Sequence, residues 1–242
     1  MKRLLTGALF TLLVCFYANA SIPVQDMSPD ALVLEYYGMF NGQSTADEDR
    51  SVLAAHMLRM HYSPAPALRL TIGVGNSNYY IDNQMRCEKG VSLTAGAALF
   101  IPTVHPLIAL TTGFDCYYIS GSNDQARSVG LLNVPYAGII VHVSEFVDFE
   151  IGGSYQTFDL KRKYPEDASP LARIEDQARI YSTLTLHDPE SGVYLSGGIS
   201  CAATQQKALR ESLPSSASIW FQFGIILKQQ DKKASKDDSI YW

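Results

Sequence analysis

Residues 216–228 read SASIWFQFGIILK and alternate in polarity from one position to the next. One set is Ile219, Phe221, Phe223, Ile225 and Leu227; the other is Ser218, Trp220, Gln222, Gly224, Ile226 and Lys228. Period-two alternation rich in aromatic and β-branched residues specifies a strand and not an amphipathic helix. Such a strand must hide its apolar face, either in the core of a soluble sandwich or barrel, or against lipid. One strand fits both, so the organisation of the whole chain has to discriminate.

The N-terminus indicates the compartment. Lys2 and Arg3 precede an almost unbroken apolar run from Leu4 to Tyr17, and Ala18-Asn19-Ala20 supplies the small residues that signal peptidase reads. Residues 1–20 are therefore expected to be a cleaved signal peptide, too short in its apolar run for a typical spanning helix. Residues 21–30 would form an N-terminal periplasmic segment, 31–228 a β-barrel domain and 229–242 a polar C-terminal tail. Cleavage removes two positive charges and moves the formal net charge from −5 to −7, and the chain shows no basic cluster, so nucleic acid is not an expected partner. No later segment is apolar for 18 residues, so any insertion into a membrane would have to use strands.

Ten strand-sized runs follow, near residues 31–41, 51–62, 66–75, 90–101, 106–120, 128–143, 147–159, 178–187, 192–202 and 217–228. Division of 120–145 around Pro135 would change the count to eight or twelve. The connections alternate. Ser63–Pro66, Pro102–Pro106, Ser144–Phe146 and Asp188–Gly192 are short, whereas 41–51, 76–89, 120–127, 160–177 and 203–216 are longer and polar. In an up-and-down meander this sorts the short turns to one end and the long loops to the other, as outer-membrane barrels do. A Greek-key sandwich has no reason to sort them.

The faces agree. Leu68, Leu70, Ile72 and Val74, with Val91, Leu93, Ala95, Ala97 and Leu99, make apolar faces. Arg69, Thr71, Ser92, Thr94, Gly96, Tyr194, Ser196, Gly198 and Ser200 make polar ones. Aromatic residues gather near the expected strand ends, among them Tyr36, Tyr37, Phe40, Tyr62, Tyr79, Phe100, Tyr117, Tyr118, Phe146, Phe149 and Tyr181, where girdles at the headgroup level would place them.

Over residues 31–228 the chain resembles the small bacterial outer-membrane β-barrel proteins of the opacity and attachment type, in architecture and without a diagnostic motif. SASIWFQFGIILK is similar to the final strand read by the barrel-assembly machinery, although a polar tail follows it here. The resemblance implies an all-β, antiparallel up-and-down transmembrane barrel of about ten strands. It further implies a monomer in the outer membrane of a Gram-negative bacterium, with outer-membrane lipid and the assembly machinery as partners. A surface partner or small solute would meet the long loops or a narrow porin-like pore.

The expected interior charge network is Glu35, Arg59, Arg69, Asp115, Asp148, Glu150, Arg179 and Lys228. No catalytic, cofactor or metal site is assigned. A barrel-embedded hydrolase would use His142 with Ser144, and an acidic orienter from Glu145 or Glu150. His187-Asp188 reads as the opening of a turn. After cleavage three cysteines remain, of which Cys87 and Cys116 are the candidate disulfide. The alternative from another class is an exported soluble β-barrel that binds an apolar ligand.

Overall fold

The computed structural model describes residues 30–44, 50–65, 67–81, 86–122, 127–163, 174–203 and 217–227. The expected signal peptide (1–20), most of the segment 21–30, Lys228 and the tail 229–242 lie outside the described residues. Every element among the described residues is a strand: β1 (Leu32–Ser44), β2 (Arg50–Ala65), β3 (Leu68–Ile81), β4 (Arg86–Pro102), β5 (Ile108–Ser122), β6 (Arg127–Ser144), β7 (Val147–Lys163), β8 (Ile174–His187), β9 (Val193–Ala202) and β10 (Ser218–Leu227). Each pairs antiparallel with its chain neighbours, and β1 pairs with β10 from Leu32 opposite Leu227 to Asn41 opposite Ser218, closing a ten-stranded barrel.

Alternation decides which side chains enter. Along β10, Ser218, Trp220, Gln222, Gly224 and Ile226 are buried while Ile219, Phe221, Phe223, Ile225 and Leu227 are exposed. The same division holds around the ring. Leu58, Ile72, Val74, Leu99, Phe114, Leu184 and Leu195 project outward, whereas Arg59, Arg69, Thr71, Thr94, Thr111, Glu150 and Ser196 are enclosed. A soluble protein does not expose a continuous apolar surface on every strand. With charge enclosed and hydrocarbon outside, the fold is that of a transmembrane β-barrel.

The strands run further than the hydrophobic pattern indicates. β3 continues to Ile81 and β4 starts at Arg86, so most of the connection expected at 76–89 is paired sheet, with Asn76 opposite Val91 and Asn78 opposite Lys89. The connections 41–51 and 120–127 shrink in the same way, to 45–49 and 123–126. Only the last two at that end, 164–173 and 203–217, are long. Polarity marks where an apolar belt stops, but backbone pairing continues as long as a neighbouring strand offers partners. About 9–11 tilted residues cross a membrane, so β4, β6 and β7, with 17, 18 and 17 residues, rise above the belt on one side.

Pro135 does not divide β6. The strand passes through it with its ring outward, and the ladder to β7 omits Val134 and Pro135 and resumes in unchanged register at Asn133 and Tyr136. Proline lacks the N–H for that ladder, so one interrupted step is the whole effect.

Inside, several rings lie across a glycine on the adjoining strand. Tyr181 faces Gly152, Trp220 faces Gly198, Tyr136 faces Gly113 and Tyr194 faces Gly224 as direct cross-strand partners. A Cβ at Gly198 would collide with Trp220 Cζ2, and one at Gly152 would come 2.5 Å from Tyr181 Cζ. Glycine here supplies space rather than flexibility. Replacement of Gly198 by leucine is expected to expel the indole and cost about 1–3 kcal/mol, the range for overpacked cores. The check is a fall in the temperature at which the folded protein loses its compact mobility on a denaturing gel.

Candidate functional site

The lumen is where chemistry would reside, and its occupants come from the inward positions just described. β1 contributes Glu35, and β2 brings Arg59 directly opposite it. Arg59 Nε donates to Glu35 Oε1 at 2.6 Å, and Nη2 closes on the same oxygen. Tyr194 OH, from β9, donates to Glu35 Oε2 at 2.6 Å. His61 Nε2 lies 3.3 Å from Glu35 Oε1, while its Nδ1 is 2.8 Å from Thr71 Oγ1. The Arg59 guanidinium also stacks 3.8 Å over the Tyr37 ring. Both carboxylate oxygens are thus engaged in a dry setting, which a buried ion pair needs if it is to offset desolvation.

Arg69 and Asp115 extend this group. The Arg69 guanidinium sits 4.9 Å from the Phe100 centroid, and Asp115 lies within the field of both Arg59 and Arg69. Asp115 fits because its direct partner on β4 is Gly96, where any Cβ would strike its Oδ1.

The remaining expected charges lie elsewhere in the lumen. Asp148 lies between two imidazoles: His142 Nδ1 is 2.6 Å from its Oδ1, and His187 Nε2 is 3.4 Å from its Oδ2. Glu150 accepts from Tyr181 OH at 2.7 Å. Arg179 sits toward the other end of the lumen, with Nε donating to Ser200 Oγ at 2.8 Å, Nη1 to Gln177 Oε1 at 2.9 Å and Nη2 to Ser218 Oγ at 2.7 Å. Of the eight residues expected in the interior network, the seven described are all enclosed in the lumen.

The hydrolase geometry is not assembled among the described residues. A bulge separates His142 from Ser144, and His142 turns to Asp148 rather than to Glu145 or Glu150. Ser144 is exposed and its hydroxyl accepts from Phe146 N at 3.2 Å, capping the β6–β7 turn. Asp188 likewise serves its turn, accepting from Glu190 N at 3.1 Å and Ser191 Oγ at 2.7 Å beside Gly192 at φ 70°. Among the described residues no group of three or more His, Cys, Asp or Glu side chains is arranged to hold a metal ion.

The expected disulfide is also not formed. Cys116 is a free thiol, and its partner on β4 is Ala95, eight residues from position 87. At roughly 3.3 Å per residue that exceeds 20 Å, against a Cα span below about 7 Å for a disulfide.

Sequence inspection missed the lumen's apolar layer. Met39, Leu53, Met57, Phe100, Tyr117, Ile119, Leu132, Val134, Ile140 and Trp220 pack inside with Tyr37, Tyr79, Phe158 and Tyr181. Tyr37, Tyr79, Phe100, Tyr117 and Tyr181 accordingly belong to the core and not to a girdle, while Tyr36, Phe40, Tyr62, Tyr118, Phe146 and Phe149 do project outward. The parity of each position relative to the polar face carried that signal. A cavity of about 20 Å³ remains among Tyr37, Met39, Tyr117, Leu132, Val134 and Trp220, room for about one water.

The architecture has counterparts among solved barrels. The chain is similar to the translocator domain of the autotransporter NalP from Neisseria meningitidis, at 10% identity and TM-score 0.48 over 84% of this chain and 89% of that one. It is similar to the transport unit of the autotransporter AIDA-I from Escherichia coli, at 10% identity and TM-score 0.47 over 92% and 98%. An outer membrane channel from Pseudomonas putida F1 aligns at 9% identity and TM-score 0.46 over 87% and 100%. No protein-family model matches the chain, and no curated protein matches it in sequence. At these identities the likeness concerns the barrel alone.

Removing one member of a buried pair strands the other, at a cost of about 3–5 kcal/mol. Arg59→Met is therefore expected to destabilise the barrel by that order, and Glu35→Gln added to it should recover a large part. Unfolding in urea, followed by the fluorescence of Trp220, measures both. Ser144→Ala is expected to leave the midpoint within about 0.5 kcal/mol of the parent.

Proposed function

We propose that the protein is a closed outer-membrane barrel that conducts no solute and acts by holding its tall rim at the cell surface, in a structural or surface-interaction role. The observation that carries this reading is the filled lumen, into which every strand sends buried side chains and where the cavity beside Trp220 admits about one water. Such close filling favours a closed barrel over a solute path or a pocket for an apolar ligand. Its orientation follows from the connections. Those at one end span two to five residues, whereas the other end carries the two long ones and the strand extensions. Short turns are periplasmic in outer-membrane barrels. The outward Leu, Ile, Val and Phe residues meet the acyl chains, and the outward-facing residues Tyr36, Tyr62 and Tyr118 suit the interfaces.

Three measurements test this. Detergent-extracted membranes run boiled and unboiled are expected to show a mobility shift, since a closed barrel resists the detergent until heated. Recovery as a soluble periplasmic protein without a shift would overturn membrane insertion. In planar bilayers the purified barrel is expected to give no discrete conductance steps; regular steps would reinstate a narrow pore. An epitope inserted between residues 164 and 173 should be labelled on intact cells, and labelling only after permeabilisation would reverse the orientation.

A further inference from the structure

The outward surface changes character in ordered rows across β4, β5 and β6. Leu93, Tyr118 and Leu131 are direct partners in one row, exposed by 46, 41 and 39%. The next row holds Val91, Ser120 and Val129, with Ser120 Oγ donating to Val91 O at 3.2 Å. Beyond it Lys89 pairs with Ser122 and Ser122 with Arg127, all three exposed. Two strand spacings separate Lys89 from Arg127, about 10 Å at the backbone. Long cationic side chains at that separation can both reach one phosphate group set over Ser122.

We propose that this face binds a phosphate-bearing lipid, with Lys89 and Arg127 holding the headgroup and the rows of Val91, Tyr118, Leu93 and Leu131 taking an acyl chain. The inference rests on the membrane-barrel reading and adds a ligand class to its external surface. Charge complementarity carries it. Neither Lys89 nor Arg127 forms an ion pair among the described residues, and both stand where the apolar belt ends. Among the described residues, the carboxylate on this face is Asp159, exposed opposite Leu131, two rows away and too far down the strand to neutralise them. A free anion would meet only two exposed, salt-screened cations. A lipid couples the same charges to the apolar rows directly beneath, so the lipid is the occupant the surface favours.

Native mass spectrometry of the full-length protein in detergent micelles, titrated with phosphatidic acid or phosphatidylcholine, tests this. Phosphatidic acid is expected to bind more tightly. Lys89→Gln should weaken it about fivefold, the worth of one cation near an anionic surface, and Lys89→Gln with Arg127→Gln should reduce it to the level of phosphatidylcholine. Equal affinity of the parent for both lipids would overturn the proposal, as would a preference that survives the double substitution. Displacement by an equal concentration of inorganic phosphate would make this a site for a free anion and overturn the lipid assignment. The gel shift on the same preparation separates the failures: no shift refutes the membrane barrel itself, whereas a shift without lipid preference refutes this inference alone.

Discussion

Backbone amides cannot be left unpaired in hydrocarbon, and everything else in this molecule follows from that. A strand satisfies its N–H and C=O groups only through its neighbours, so a sheet in lipid must have no edge. The ladder from Leu32–Leu227 to Asn41–Ser218 removes the last two edges. Closure divides the side chains of every strand between two solvents that never mix. The outer set can be uniformly apolar because lipid asks for nothing else, and the inner set must solve its own packing and charge problem in an enclosed space.

That problem has two kinds of solution here. Charges gather by cross-strand contact, as at Glu35 with Arg59, Tyr194 and His61, and at Asp148 between His142 and His187. Between the charged groups lies an apolar layer like a soluble core, with Leu53, Met57, Leu132, Ile140 and Trp220. A lumen filled this way packs its strands from within as a soluble core does. What the molecule presents outward is the rim raised by β4, β6 and β7 and the apolar belt below it.

Much of this was legible in the sequence because the controlling period is two. Parity alone placed Phe223 outside and Trp220 inside, and it did so for Arg69, Asp115, Asp148 and Tyr194 as well. What parity does not contain is register. It could place His142, Asp148 and His187 inside without revealing that three strands bring them together. It made Cys87 and Cys116 look near each other because both approach one end, although the ladder sets them far apart along adjoining strands. Strand ends were underestimated for a related reason. Asn76, Ser77 and Asn78 are polar and read as a loop, yet they keep pairing with Val91, Gly90 and Lys89.

The glycines that lie beneath rings bear on how register is chosen during assembly. A slip of one residue turns every side chain to the wrong solvent and is heavily disfavoured. A slip of two keeps all faces correct, so hydrophobicity cannot reject it. It would, however, carry Trp220 off Gly198 and onto Ser196 or Ser200, and Tyr181 off Gly152 and onto Glu150 or Ser154. Each ring then meets a Cβ where it had been given a gap. The ring-and-glycine pairs work as the notches of a key, rejecting alignments that solvent preference would admit.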